Sequence, residues 1–304
     1  MEQFEWINQV KKIAQGIRKR TLEHTIKNGG GYLSQACSSA EILATLYTKV
    51  MNLGTVENPI KPKPFPGVPG AGNSRYFTGA EFHGARGKEY DRFFLSPAQY
   101  ALVVYSALIE TKRMAEDGLD YFNKDGYSVE MIGAEHSPGM EVTTGSLGQG
   151  ISQAAGIAFA RKRKGETGRI IVFLSDGELQ IGQTWEALQA MAFHKLDNMI
   201  LYIDVNGYQC DGKMTTVMNV EPIEKRLESF GLKALRIDGH NIEAIAQASE
   251  SKPDGRPLAI VCDTNPTKDM EILCDRAPKF HYVRFANNEE KQKYILFSQD
   301  VALG

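Results

Sequence analysis

The chain has 304 residues, enough for one large or two modest domains around a substantial apolar core. Hydrophobic residues make up 42% and charged residues 24%, the balance of an ordinary soluble globular protein. Lys plus Arg total 35 against 37 for Asp plus Glu, so bulk charge offers nothing to nucleic acid or an anionic membrane, and neither is expected as a partner.

No apolar run reaches the roughly 18 residues needed to span a bilayer, and the start MEQFEWINQV lacks the apolar stretch of a secretory signal. A cytoplasmic location is the expectation. Cys37, Cys210, Cys262 and Cys274 are widely spaced and form no CxxC pair, which argues against a disulfide framework or a thiolate zinc site. They read as packed or surface thiols.

Apolar positions at Ile7, Val10, Ile13, Ala14, Ile17 and Leu22 predict a helix over about 4–27, stopped by Gly29, Gly30 and Gly31. The stretch SSAEILATLYTKVM predicts a second helix starting at Ser38, with Ser38 as N-cap and Glu41 as its capping-box partner. Residues 54–88 crowd Pro59, Pro62, Pro64, Pro66 and Pro69 among glycines and lose all apolar period, which predicts a long irregular insertion. A lid, an interface arm and a simple insertion all fit that composition.

Beyond Gly145 helices and strands alternate. Helices are predicted at about 150–164, 183–194, 222–230 and 241–250, and strands at 169–174, 199–205, 234–238 and 257–263. Continuous apolar strands between helices imply an α/β fold with a parallel sheet covered by helices on both faces.

The segment from Ser175 to Gly212, SDGELQIGQTWEALQAMAFHKLDNMILYIDVNGYQCDG, holds the chemistry. Asp176 follows one predicted strand and Asn206 the next, so both should emerge at the carboxyl ends of neighbouring parallel strands, where open α/β sheets bind ligands. A carboxylate and a carboxamide oxygen are hard donors suited to Mg²⁺ or Ca²⁺, with phosphate oxygens completing the shell. The competing reading of SDG is a strand-to-helix turn with Asp176 as a local cap. A dinucleotide-binding reading of Gly145, Gly148 and Gly150 fails, because GSLGQG is not GxGxxG.

This segment resembles the thiamine-diphosphate motif of transketolases, which begins GDG and ends about thirty residues later in Asn. The likeness extends through TTGSLGQGISQAAGIAFA at 143–160, HKLDN at 194–198, DGHN at 238–241 and PKFH at 278–281, and back through RFFLS at 92–96 and SSAEILATLY at 38–47. The resemblance implies a single thiamine-diphosphate-binding domain over 1–304, carrying the irregular insertion at about 54–88. It implies that Asp176, Asn206 and the Tyr208 carbonyl hold the metal. Gly177 and Glu178 would lie with them at the diphosphate, Gly145 and Leu147 against the aminopyrimidine, and His281 near the diphosphate and substrate channel.

Several positions depart from the family pattern. Tyr32 and Gln99 stand where transketolases carry substrate-contacting histidines, Ser175 replaces the first glycine of GDG, and Ile181 replaces an acidic residue. Tyr and Gln can hydrogen-bond a hydroxyl, but neither exchanges protons near neutral pH. The expected substrate is therefore a specialised one, with Tyr32, Gln99 and His281 as the catalytic-wall candidates.

Family members also carry a pyrimidine-binding domain and a C-terminal domain after this one. The expectation is that a second subunit supplies both, in a heterotetramer acting on small-molecule substrates. Three functions follow: transfer of a two-carbon ketol unit from a ketose to an aldehyde, decarboxylation and carboligation of a 2-oxo acid, or a non-catalytic regulatory role.

Overall fold

The computed structural model describes residues 2–300. In chain order the elements are helix α1 (Glu2–Asn28), strand β1 (Gly30–Gly31), α2 (Leu33–Thr45), β2 (Arg92–Leu95), α3 (Ala101–Glu110), α4 (Gln149–Arg163), β3 (Ile170–Ser175) and α5 (Gly182–Phe193). There follow β4 (Met199–Val205), β5 (Tyr208–Gln209), β6 (Gly212–Lys213), α6 (Met214–Val217), α7 (Ile223–Ser229), β7 (Lys233–Asp238), α8 (Ile242–Ser249), β8 (Leu258–Asp263), β9 (Val283–Arg284) and α9 (Asn288–Asp300).

Five strands form one sheet in the order β2-β3-β4-β8-β7, with every neighbouring pair parallel. Because side chains alternate across a strand, each central strand feeds two cores. Ile171, Phe173, Ile200, Tyr202 and Ile260 join residues of α1, α2, α3 and α8 on one face. Val172, Leu174, Leu201, Ile203 and Val261 join residues of α4, α5 and α7 on the other. Burial on both faces explains why these strands read as unbroken apolar runs. Beyond Gly145 the four predicted strands and four predicted helices agree with the observed boundaries to within one residue.

The second helix departs from expectation. It begins at Leu33, directly after the glycines, and Ser38 lies in its interior. All its residues from Leu33 to Thr45 are buried, so its hydroxyls bond inward instead of capping: Ser39 Oγ donates to the Gln35 carbonyl at 2.6 Å and Ser38 Oγ to Asp204 Oδ2 at 2.6 Å. Glu41 is likewise no capping partner. It accepts from Arg18 at 2.6 Å and contacts His240 Nδ1 at 2.9 Å. Burial acts upward on its carboxyl, but the His240 hydrogen bond and the Arg18 charge prevail and hold it at about 2.

Residues 54–88 contain no strand of the sheet and one short 3₁₀ turn, Gly79–His83. The segment is anchored by bridges from Ile60 to Met114 and from Pro64 to Tyr127, and by buried Ala80, Phe82 and His83. Two further contacts close the N- and C-terminal regions together. β1 pairs antiparallel with β9, and Leu22, Leu33, Cys37, Met270, Leu273, Val283 and Tyr294 form a third, smaller core. No thiol is paired: Cys37 and Cys262 are buried, Cys210 and Cys274 exposed. Among the described residues no helix is long and apolar enough to cross a membrane.

Two buried histidines set a pH limit on stability. Burial pushes both His24 and His83 down to about 4; His24 packs edge-on against Phe122, and His83 Nε2 meets the Tyr47 hydroxyl at 2.9 Å. Unfolded histidine titrates near 6.5, so between about 6.5 and 4 the unfolded chain binds protons that the folded chain refuses. The contribution of these two histidines should be full above pH 6.5 and fall as pH is lowered towards 4, by on the order of 3 kcal/mol per histidine at the limit. The change in urea midpoint between pH 7 and pH 5 should be more unfavourable in wild type than in His24→Phe, and that difference measures the His24 share.

Candidate functional site

At the carboxyl ends of β3 and β4 lies a cavity of about 260 Å³. Its lining includes Gln99, Gly145, Leu147, Ser175, Asp176, Gly177, Ile181, Asn206, Tyr208 and His281. Chain segments far apart in sequence thus meet where the strand-end rule places a ligand.

The floor is built by the two strand ends. Asp176 opens a 3₁₀ turn, Asp176–Gln180, and is 2% exposed. Its Oδ1 accepts from Gly177 N at 2.8 Å and its Oδ2 from Gly207 N at 2.9 Å. Asp176 is thus the first residue inside the turn and not its N-cap: one oxygen meets the adjacent amide and the other reaches across to the β4 loop. Gly207 makes that reach possible with a φ of +75°, a conformation side chains rarely adopt. Asn206 Oδ1 accepts from Tyr208 N at 2.9 Å.

Behind the floor stands a second carboxylate that the sequence did not announce. Asp204 is fully buried and takes donors from Ser38, from Tyr100 at 2.7 Å, from Thr264 and, at 3.5 Å, from Asn206 Nδ2. Tyr100 also receives Asn206 Nδ2 at 3.3 Å. These bonds hold the Asn206 amide with its nitrogen towards Asp204 and its oxygen away.

Burial, joined by repulsion from Asp204, pushes Asp176 up to about 8. Burial also raises Asp204 despite its donors. Neither carboxylate forms an ion pair among the described residues. Two buried carboxylates without a cation are costly unless one is protonated or a positive ion joins them. Among the described residues no three His, Cys, Asp or Glu side chains cluster to hold a metal alone. The oxygen set fits a hard divalent cation whose shell is finished by a phosphate ligand.

The wall is formed by the loop before α4. Gly148 N donates to Glu178 Oε1 at 2.7 Å, and Ser96 Oγ donates to the same oxygen. Gly148 has a φ of +83°, and a Cβ there would stand 3.0 Å from Ile181. Glu178 is completely buried and does not line the cavity. Its Oε1 fastens the 145–148 loop to the turn after β3, while its Oε2 has no hydrogen-bond partner. Burial raises the carboxyl to about 7.

The rim carries His281, Gln99 and, beside them, Tyr32. The Tyr32 ring stands edge-on to His281 at 5.5 Å between centroids and to Tyr282 at 4.9 Å, although Tyr32 itself does not line the cavity. His281 is placed by Gln35, whose Nε2 donates to its carbonyl at 3.1 Å, and burial lowers its ring pKa. No Lys or Arg lines the cavity among the described residues.

An open parallel sheet with this oxygen-rich cavity at its strand ends defines a cofactor-binding α/β domain. Residues 83–267 match the family described as "Transketolase, thiamine diphosphate binding domain". The transketolase family protein y4mO of Sinorhizobium fredii is 36% identical over 280 residues, covering 91% of this chain and 90% of that protein. The 6-deoxy-6-sulfo-D-fructose transketolase subunit SqwG of a Clostridium species is 32% identical, with 82% of each chain covered. An apulose-4-phosphate transketolase subunit of Actinobacillus succinogenes is 28% identical over 90% of this chain and 91% of its own length. The chain belongs to the transketolase family. In fold it matches the crystal structure of Campylobacter jejuni transketolase with a TM-score of 0.75 at 24% identity, covering 98% of this chain and 44% of that one.

The Tyr100 hydroxyl links Asp204 to Asn206, so Tyr100→Phe should leave the buried carboxylate one donor short. A destabilisation of about 1–3 kcal/mol is expected. An unchanged urea midpoint would show that the network does not depend on this link.

Proposed function

We propose that this chain is the diphosphate- and metal-anchoring subunit of a heteromeric, thiamine-diphosphate-dependent transketolase-like enzyme that moves a two-carbon ketol unit from a ketose donor to an aldehyde acceptor. The observation that carries the reading is the meeting of Asp176, Asn206, Tyr208 and the 145–148 loop around one cavity, with the buried Asp176 carboxylate in its lining and no Lys or Arg there among the described residues. In this reading Asp176, Asn206 and the Tyr208 carbonyl hold Mg²⁺ or Ca²⁺, and the backbone at Gly177 approaches the diphosphate. Gly145 and Leu147 lie against the aminopyrimidine. Thiamine diphosphate, when bound, supplies stabilisation of a carbanion at its thiazolium ring.

His281, Tyr32 and Gln99 are proposed to orient the substrate. Only the histidine can exchange a proton near neutrality, so Tyr32 and Gln99 act by hydrogen bonding and shape. That difference supports a specialised donor or acceptor. Two relatives named as transketolase subunits match along most of their own length, whereas the chain covers 44% of the solved transketolase. Both facts favour a partner subunit bearing the pyrimidine-binding and C-terminal domains, in a cytoplasmic heterotetramer.

Calorimetric titration of the assembled complex with thiamine diphosphate and Mg²⁺ tests the anchor. Asp176→Ala should weaken metal-dependent binding by more than the roughly 10–100-fold usual for a residue one shell removed from a metal; unchanged affinity would sink the assignment. Incubation with a panel of 2-oxo acids tests the chemistry. Ketol transfer between sugars without a general requirement for carbon dioxide release is expected, and activity confined to decarboxylation would replace this reading with a 2-oxo acid carboligase.

A further inference from the structure

Ser175 closes β3 in extended conformation, with φ −122° and ψ 160°. It is 4% exposed, lines the cavity, and its Oγ has no hydrogen-bond partner. The buried hydroxyls of the helices solve the same problem locally: Ser39, Ser106 and Thr25 each donate to the carbonyl four residues back. An extended strand end offers no such carbonyl.

The neighbouring carboxylates do not take the proton either. Ser175 pairs in register with Asp204, so both side chains leave the same face of the sheet. A carboxylate accepts about four hydrogen bonds, and Asp204 already has donors from Ser38, Tyr100, Thr264 and Asn206. Asp176 accepts from Gly177 N and Gly207 N. Glu178 also has an unpartnered oxygen, but that carboxylate serves the 145–148 loop and does not line the cavity.

We infer that Ser175 is a ligand-contacting residue whose hydroxyl donates a hydrogen bond to an acceptor oxygen of the molecule seated in this cavity. The inference rests on the cofactor reading above. That oxygen belongs either to the cofactor's diphosphate or to the carbonyl or hydroxyl groups of the ketol donor. An unmet buried hydroxyl destabilises the empty chain, and the ligand oxygen removes that penalty. Removing the hydroxyl should therefore act with opposite sign on the empty and the loaded protein.

The test uses the complex of this chain with its partner, in wild-type, Ser175→Ala and Ser175→Gly forms. Melting without ligand, titration with thiamine diphosphate and Mg²⁺, and the KM for hydroxypyruvate at saturating cofactor are compared. For Ser175→Ala the empty complex should melt no lower than wild type. Beyond that, a cofactor Kd raised about tenfold assigns the bond to the diphosphate, and an unchanged cofactor Kd with a KM raised about tenfold assigns it to the donor. Ser175→Gly should shift the same constant. A lower melting temperature of the empty Ser175→Ala complex, or both constants within about twofold of wild type, overturns the inference. Failure of the underlying reading is distinct, because the wild-type complex would then show no metal-dependent binding.

Discussion

A carboxylate with no exposure, at the end of the central strand, can persist only if donors surround it. Asp204 draws them from α2 through Ser38, from the turn after β2 through Tyr100, from the loop after β8 through Thr264, and from its own loop through Asn206. Each bond ties a different segment to the same point. The relative positions of those segments, and with them the outline of the cavity, follow from satisfying one buried charge. Asn206 illustrates the gain: its amide nitrogen is spent on the network, and its oxygen, turned the other way, accepts from Tyr208 N.

Asp176 stands in the opposite situation. Its donors are two backbone amides, and a second acid lies close behind it. What stabilises the scaffold thereby sharpens the demand for a cation at the floor. A metal shared with a diphosphate would meet that demand and reverse the sign of the field seen by the phosphates. Glu178, a third buried acid in the same turn, is directed elsewhere and fixes the glycine loop that forms the wall. Three acids within one sheet edge carry three separate tasks.

Much of this is legible in the sequence, and the unread parts share a physical cause. RIIVFL and MILYIDV declare buried parallel strands, and the positions of Asp176 and Asn206 just after them place the site. The Asp204 network escapes notice because three of its four partners stand 60 to 166 residues away, where no periodicity links them. Ser38 offers good capping chemistry and so points to a helix start, yet full burial of α2 turns that hydroxyl inward and the helix begins five residues earlier. RFFL is only four residues long, too short to announce β2 by pattern alone, and two-residue β1 and β9 leave no pattern. The bonds that Glu178 accepts from Ser96 and Gly148 likewise join positions 82 and 30 residues apart.

The pairing of Gly30–Gly31 with Val283–Arg284 sets when the rim exists. Tyr32 follows one partner directly and His281 precedes the other, so the two rings meet only once a contact spanning some 250 residues has closed. Closing so large a loop is entropically slow, and its few backbone bonds make it a region of low local stability. The rim thus hangs on a long-range contact in which the turn carrying Asp176 takes no part.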